Sequence, residues 1–256
     1  MRTRKPLGRG RDRRECPKLG PARGAADRDA GTGHRRRRGP SGVLALRRAL
    51  GKAHPRVAGI DDGAFVRGDR YAPIAAVIVS APSRVEAVRV GRVRVDGRDA
   101  TARVLGLLRT LRGSEGIRAV LIDGAVLGGF NVLDLDAVRR GAGVPVVAVT
   151  RRRPDFRAIR SALRRWFPRT AEARYALLRR HRLARVPTGG EPIWVAAAGC
   201  TARDAGALVH RTAVLGHWPE PLRLAHLVAS AGRPAASRAA PTVKGRRTPR
   251  PSGPVA

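Results

Sequence analysis

Val57-Ala58-Gly59-Ile60-Asp61, then Ile74-Ala75-Ala76-Val77-Ile78-Val79-Ser80, then the run 85–95 follow one another with no helical segment between them. The first two are short apolar runs rich in β-branched residues and read as buried strands. In the third, apolar positions recur at Val88, Val90, Val93 and Val95, as a long strand requires. Three strands in a row exclude a fold that alternates strand and helix from its start.

Outward from there the periodicity changes. Gly97 marks a turn, and Asp99 stands where it can cap a helix over 100–111, whose apolar face is Val104, Leu105, Leu108 and Leu111. A fourth, fully buried strand is predicted at 119–122, a short helix at 131–140 and a fifth strand at 144–149. Helices are predicted from Pro154 or Asp155 to Trp166 and over 172–181, then a strand at 193–198. Thr201 caps a helix reaching Arg211, and a last helix runs over 221–231 with a proline at its start. A three-strand meander followed by β-α-β crossovers makes an α/β protein. Its sheet is mixed, with helices on both faces, in the ribonuclease H-like order.

The chain of 256 residues carries 53 Lys and Arg against 19 Asp and Glu, a formal charge of +34. Residues 43–230 alone hold 33 basic and 15 acidic residues, so the predicted domain, 43–231, is basic in its own right. Such a field favours polyanions, and nucleic acid leads. A GC-rich coding sequence is the alternative source of the Arg bias. Residues 1–42, with the run Arg35-Arg36-Arg37-Arg38, and residues 232–256 have too few apolar side chains to offset the entropy of ordering. Both are expected to be disordered basic arms. No apolar run approaches the ~20 residues that span a bilayer, and no hydrophobic signal core follows the basic N-terminus. Two cysteines, Cys16 and Cys200, fit a reducing compartment, so a cytoplasmic protein is expected. Nothing predicts an obligate protein partner, and the oligomeric state is left open.

In so basic a chain the carboxylates are scarce, and two acidic motifs sit at strand ends: Gly59-Ile60-Asp61-Asp62-Gly63 and Leu121-Ile122-Asp123-Gly124. Carboxyl edges of sheets are where α/β folds place ligands, and hard cations such as Mg2+ or Mn2+ take oxygen donors. Asp61 and Asp123 are the first candidates. Asp99 can reach the same cleft or serve only as a cap, and Asp62 can assist or only brace the Gly63 turn. Two such ions about 4 Å apart activate a water and stabilise the leaving oxygen of a phosphodiester. Thr150-Arg151-Arg152-Arg153-Pro154 combines cations with a helix start, which suits a phosphate as well as a solvated loop. Gly128-Gly129-Phe130-Asn131 can line a pocket for a flipped base with Phe130 stacking, or form a helix lead-in with Phe130 in the core. His226 matters only where its helix covers the acidic cleft. There is no P-loop, no dinucleotide-binding glycine motif, no serine nucleophile elbow and no zinc-ligand spacing.

These residues, with His54-Pro55-Arg56-Val57, Val95-Asp96-Gly97-Arg98-Asp99-Ala100-Thr101, the stretch from Gly128 through Asn131 to Asp134, and Pro219-Glu220-Pro221-Leu222-Arg223-Leu224-Ala225-His226-Leu227, resemble the archaeal endonuclease dU family over about residues 54–231. That family is similar to endonuclease V, a ribonuclease H-like nuclease acting beside deaminated bases with Mg2+ or Mn2+. The resemblance implies cleavage of DNA containing deoxyuridine. It places Asp61 and Asp123 at the strand-borne metal positions, and Asp99 where endonuclease V has a Glu. Ala64 departs from the Pro frequent in the family. The rival expectations are a non-catalytic nucleic-acid-binding protein of the same fold and a small-molecule phosphate enzyme, which would need no basic core.

Overall fold

The computed structural model describes residues 46–48, 50, 51, 54–66, 68–111 and 113–231. The expectations for 1–42 and 232–256 lie outside them. The strands are β1 (Arg56–Asp62), β2 (Tyr71–Ser80), β3 (Arg84–Arg94), β4 (Ala119–Asp123), β5 (Val126–Leu127), β6 (Asn131–Val132), β7 (Val146–Thr150), β8 (Ala184–Val186) and β9 (Ile193–Ala198). The helices are α1 (Ala100–Thr110), α2 (Leu135–Ala142), α3 (Phe156–Trp166), α4 (Ala171–Arg179), α5 (Ala202–Thr212) and α6 (Glu220–Ala231). The main sheet runs β3-β2-β1-β4-β7-β9-β8. The β1–β2 and β2–β3 pairs are antiparallel, β1–β4 and β4–β7 parallel, and β9 runs antiparallel to both β7 and β8. This is the mixed ribonuclease H-like sheet that the meander-then-crossover order predicts.

The strand period of two divides the core. Ala58 and Ile60 of β1 face a cluster with Val104, Leu107 and Leu108 of α1 and Val138 of α2. Val57 faces the opposite cluster, with Leu208 and Val209 of α5 and Leu222 of α6. Helices therefore cover both faces, and β1, β4 and β7 are buried on both sides, which explains their unbroken apolar runs. Among the described residues no helix is long and apolar enough to cross a membrane.

The chain departs from the sequence reading at three places. The helix expected at 131–140 begins at Leu135, because Asp134 caps it by accepting from the Ala137 N–H. Asn131 and Val132 instead pair with Val126 and Leu127. Strand β8 is three residues long, too short for its periodicity to show. Asp99 occupies the N-cap position of α1 without capping it. The Ala100 N–H donates to Asn131 Oδ1 at 3.0 Å, so the cap comes from a residue distant in sequence.

Candidate active site

Parallel pairing of β1 and β4 matches Ile60 with Ile122. Asp61 and Asp123 come next on each strand, on the same face, at the carboxyl ends of neighbours about 4.8 Å apart. This face lies under α6. A Cβ at Gly59 would fall 2.1 Å from the Pro221 carbonyl oxygen, and one at Gly63 2.4 Å from that of Ala229. The glycines flanking the Asp pair thus let the α6 backbone lie directly on β1. That approach brings His226 Nδ1 to 2.9 Å from Asp61 Oδ2. The helix covers the acidic cleft, the condition under which His226 gains interest.

Asp61 is 3% exposed, and its other oxygen accepts from the Asp62 N–H at 2.7 Å. Burial, then repulsion from Asp123 and Asp62, pushes its carboxyl up to about 8. Burial raises Asp123 to about 6, with the Arg151 guanidinium pulling the other way and Asp62 adding to the rise. Burial also raises Asp62, whose Oδ2 accepts from the Gly128 N–H at 2.5 Å. Arg151 Nη1 lies 3.7 Å from Asp123 Oδ2, and its guanidinium lies 3.7 Å from the centre of the Trp218 ring. Repelling, desolvated oxygen donors of this kind suit a hard divalent cation. Among the described residues, no three His, Cys, Asp or Glu side chains stand ready in ligating geometry. His226, Arg151 and two backbone N–H groups engage the carboxylate oxygens.

The structure does not bring Asp99 into this group. Its carboxylate accepts from the Arg94 N–H (3.2 Å), Arg103 Nε (3.0 Å) and Asn131 Nδ2 (2.7 Å), and these donors hold it below the usual carboxylate range against a burial effect that raises it. Asn131, expected in a base pocket, is fully buried and braces the α1 start through Asp99, Ala100 and the Arg94 carbonyl.

The rest of the glycine loop does border a cavity. About 380 Å³ in volume and almost wholly apolar, it is lined by Gly124, Gly129, Phe130, Phe156, Ile159 and Leu178, among others. Gly124 follows Asp123 directly, but Ala148 and Ala196 in the cavity wall belong to the sheet face opposite the one that carries Asp61 and Asp123. The Phe130 ring also meets Phe167 edge-on at 5.8 Å. Gly128 does not line the cavity; at φ 60° it is tied to Asp62. Arg151 reaches the cluster. Arg153 lies 5.5 Å from the centre of the Trp194 ring, and Arg152 is exposed with its carbonyl accepting from Thr150 Oγ1.

Sequence reasoning missed the residues that shape the loop. Arg174, 7% exposed, donates to the carbonyls of Phe130 and Asp96, the latter at 2.9 Å. Asp96, at φ 55°, accepts from the Phe130 N–H at 2.8 Å. A basic residue in an Arg-rich helix carries no signal of such burial. Asp96 in an Asp-Gly turn was the legible hint.

The fold and the strand-end carboxylates define a protein of the ribonuclease H-like class. Human endonuclease V shares the fold, at 16% identity over 73% of this chain and 87% of its own, with a TM-score of 0.50. A protein of unknown function from Archaeoglobus fulgidus superposes with a TM-score of 0.62 at 34% identity, covering 69% of this chain and 97% of its own. A UPF0215 protein of Methanosarcina barkeri is 33% identical over 180 residues, 70% of this chain and 91% of its own length. Another from Thermococcus kodakarensis is 35% identical over 186 residues, 70% and 93% respectively. Residues 53–232 match the endonuclease dU family, and the chain belongs to it.

Proposed function

We propose that this protein is a divalent-metal-dependent endodeoxyribonuclease that hydrolyses a phosphodiester near a deaminated base, deoxyuridine foremost. The observation that carries the reading is the in-register pair Asp61 and Asp123, both raised first by burial, with Asp123 and Asp62 adding to the rise at Asp61 and Asp62 to that at Asp123. Together with Asp62 they would hold Mg2+ or Mn2+. Bound there, the ion supplies Lewis-acid activation of water and of the phosphoryl oxygen.

The chain's own residues do the rest. His226 orients the Asp61 carboxylate through its 2.9 Å contact. Arg151, braced against Trp218, is placed to grip a phosphate beside Asp123, with Arg152 and Arg153 extending the cationic loop. Phe130 and Gly129 present the apolar cavity to an extruded base, excluding water from it. Family membership and the excess of basic residues support DNA as the partner.

The test incubates the protein with uracil-containing, hypoxanthine-containing and undamaged duplexes, with Mg2+, Mn2+ or EDTA. Cutting of uracil DNA is expected with either metal and not with EDTA. Asp123→Asn is expected to cut at least a hundredfold more slowly, comparable to the loss of a principal charge-stabilising group. A wild type that cuts nothing, or a variant that cuts equally well, sinks the reading. Binding without cutting would leave a nucleic-acid-binding protein of the same fold.

A further inference from the structure

A second cavity, about 360 Å³ in volume, opens beside the apolar one and shares Phe156, His181 and Leu183 with it. Its chemistry is different. Trp194 and the arginines at 153, 179, 180 and 182 complete its walls. Arg180 is committed to Asp134 at 2.9 Å. Among the described residues no carboxylate pairs with Arg153, Arg179 or Arg182. Two of these cations lie against aromatic faces instead: Arg153 on Trp194 at 5.5 Å and Arg179 on Phe156 at 4.5 Å. Unneutralised guanidinium groups next to an aromatic face match a nucleotide, the cations meeting phosphate and the ring meeting the base.

The placement of Trp194 fixes the order of the two cavities. On β9 it pairs with Thr150, just before the Arg151–Arg153 loop, and on its other side with Arg185 of β8. Ala196, two residues on, lines the apolar cavity. Alternation puts Trp194 and Ala196 on the same face of the strand, roughly 7 Å apart. The apolar cavity and the Trp194 cavity thus adjoin on one face of the sheet, and Gly124, next to Asp123 in the chain, lines the first of them.

We propose that the Trp194 cavity is a second nucleotide subsite. It takes an unpaired base neighbouring the one in the apolar cavity, stacked on Trp194, with Arg153, Arg179 and Arg182 on its phosphate. The chain therefore follows a single strand across both cavities, because bases paired and stacked in a duplex cannot offer a face to Trp194. The inference rests on the nuclease reading for the use of the adjoining cavity, and on the lining of this cavity for everything else.

Binding is measured separately from cutting, with the full-length protein in EDTA and a labelled, undamaged oligothymidylate, single-stranded or annealed to its complement. Trp194→Ala is expected to weaken single-strand binding about tenfold, as loss of one stacking platform does, and duplex binding less than twofold. Trp194→Phe should recover most of the loss, and thermal melts report whether each variant is folded. Should Trp194→Ala fail to fold, exposed Arg182→Ala carries the test, with weaker single-strand binding and a salt slope reduced by about one. Single-strand affinity within twofold of wild type in the folded variant, or an equal loss on both probes, overturns the subsite. Uracil-DNA cleavage with metal is scored in parallel. Cutting without a Trp194-dependent single-strand effect sinks only the subsite, and a Trp194-dependent effect without cutting sinks only the nuclease reading.

Discussion

Two neighbouring carboxylates in this protein differ because of what covers them. Asp62 sits under the glycine loop and gives an oxygen to the Gly128 N–H, while Asp61 sits under α6 and gives one to His226. The raised carboxyls of Asp61 and Asp123 set a pH dependence. Each has a folded value above its unfolded one near 3.8, about 8 and about 6 respectively, so folding favours the protonated form. Without metal, the stability tied to these groups is fully present below about pH 3.8 and is lost as pH rises through about 6 and then about 8. A cation that needs both groups ionised works the other way. The melting-temperature gain from Mg2+ is expected to be small at pH 5.5 and to grow up to pH 8.5, by differential scanning fluorimetry against EDTA. A gain independent of pH would remove Asp61 and Asp123 from the proposed metal site.

At the scale of elements, the site depends on α6 lying against β1 with no side chain between them at Gly59. Gly59→Ala puts a methyl 2.1 Å from the Pro221 carbonyl oxygen, and backbone cannot yield as a flexible side chain does. The helix must lift, taking His226 off Asp61. A stability loss of about 1–3 kcal/mol is expected from urea denaturation, as for other overpacked contacts. Cleavage should fall by more than the unfolded fraction accounts for. Wild-type stability in this variant would mean that α6 can move without cost. The α1 start shows a similar dependence between elements: Asn131 of β6 does the capping that Asp99, next in sequence, does not.

Over the whole molecule, the excess of 34 positive charges accompanies a few buried acidic groups at the site. The field draws in a polyanion while the carboxylates wait for a cation to offset them. DNA affinity in EDTA is expected to fall by about 10³–10⁵ between 50 and 200 mM salt if six to ten phosphates are contacted, measured by fluorescence anisotropy. A shallow slope would argue that the charge serves something other than DNA.

Composition and periodicity by themselves determined the three-strand meander, the crossovers, the mixed sheet and the two acidic motifs at strand ends. Burial patterns of period two and 3.6 are local, and the chain displays them directly. Cap chemistry was legible at Thr201, whose side chain accepts from the Asp204 N–H, and the helix start left between Pro154 and Asp155 is capped by Asp155, which accepts from the Arg157 and Ala158 N–H groups. Only the tertiary structure decided which carboxylates meet. Asp61 and Asp123 are neighbours because β1 and β4 are adjacent and parallel in register, a long-range choice. Asp99 is drawn off by Arg103 and Asn131, and Arg174, one arginine among many, is the one that is buried. Scarcity in sequence marked the acidic residues, whereas partners fixed by strand pairing and helix docking sorted the ones that share a cleft from the one that does not.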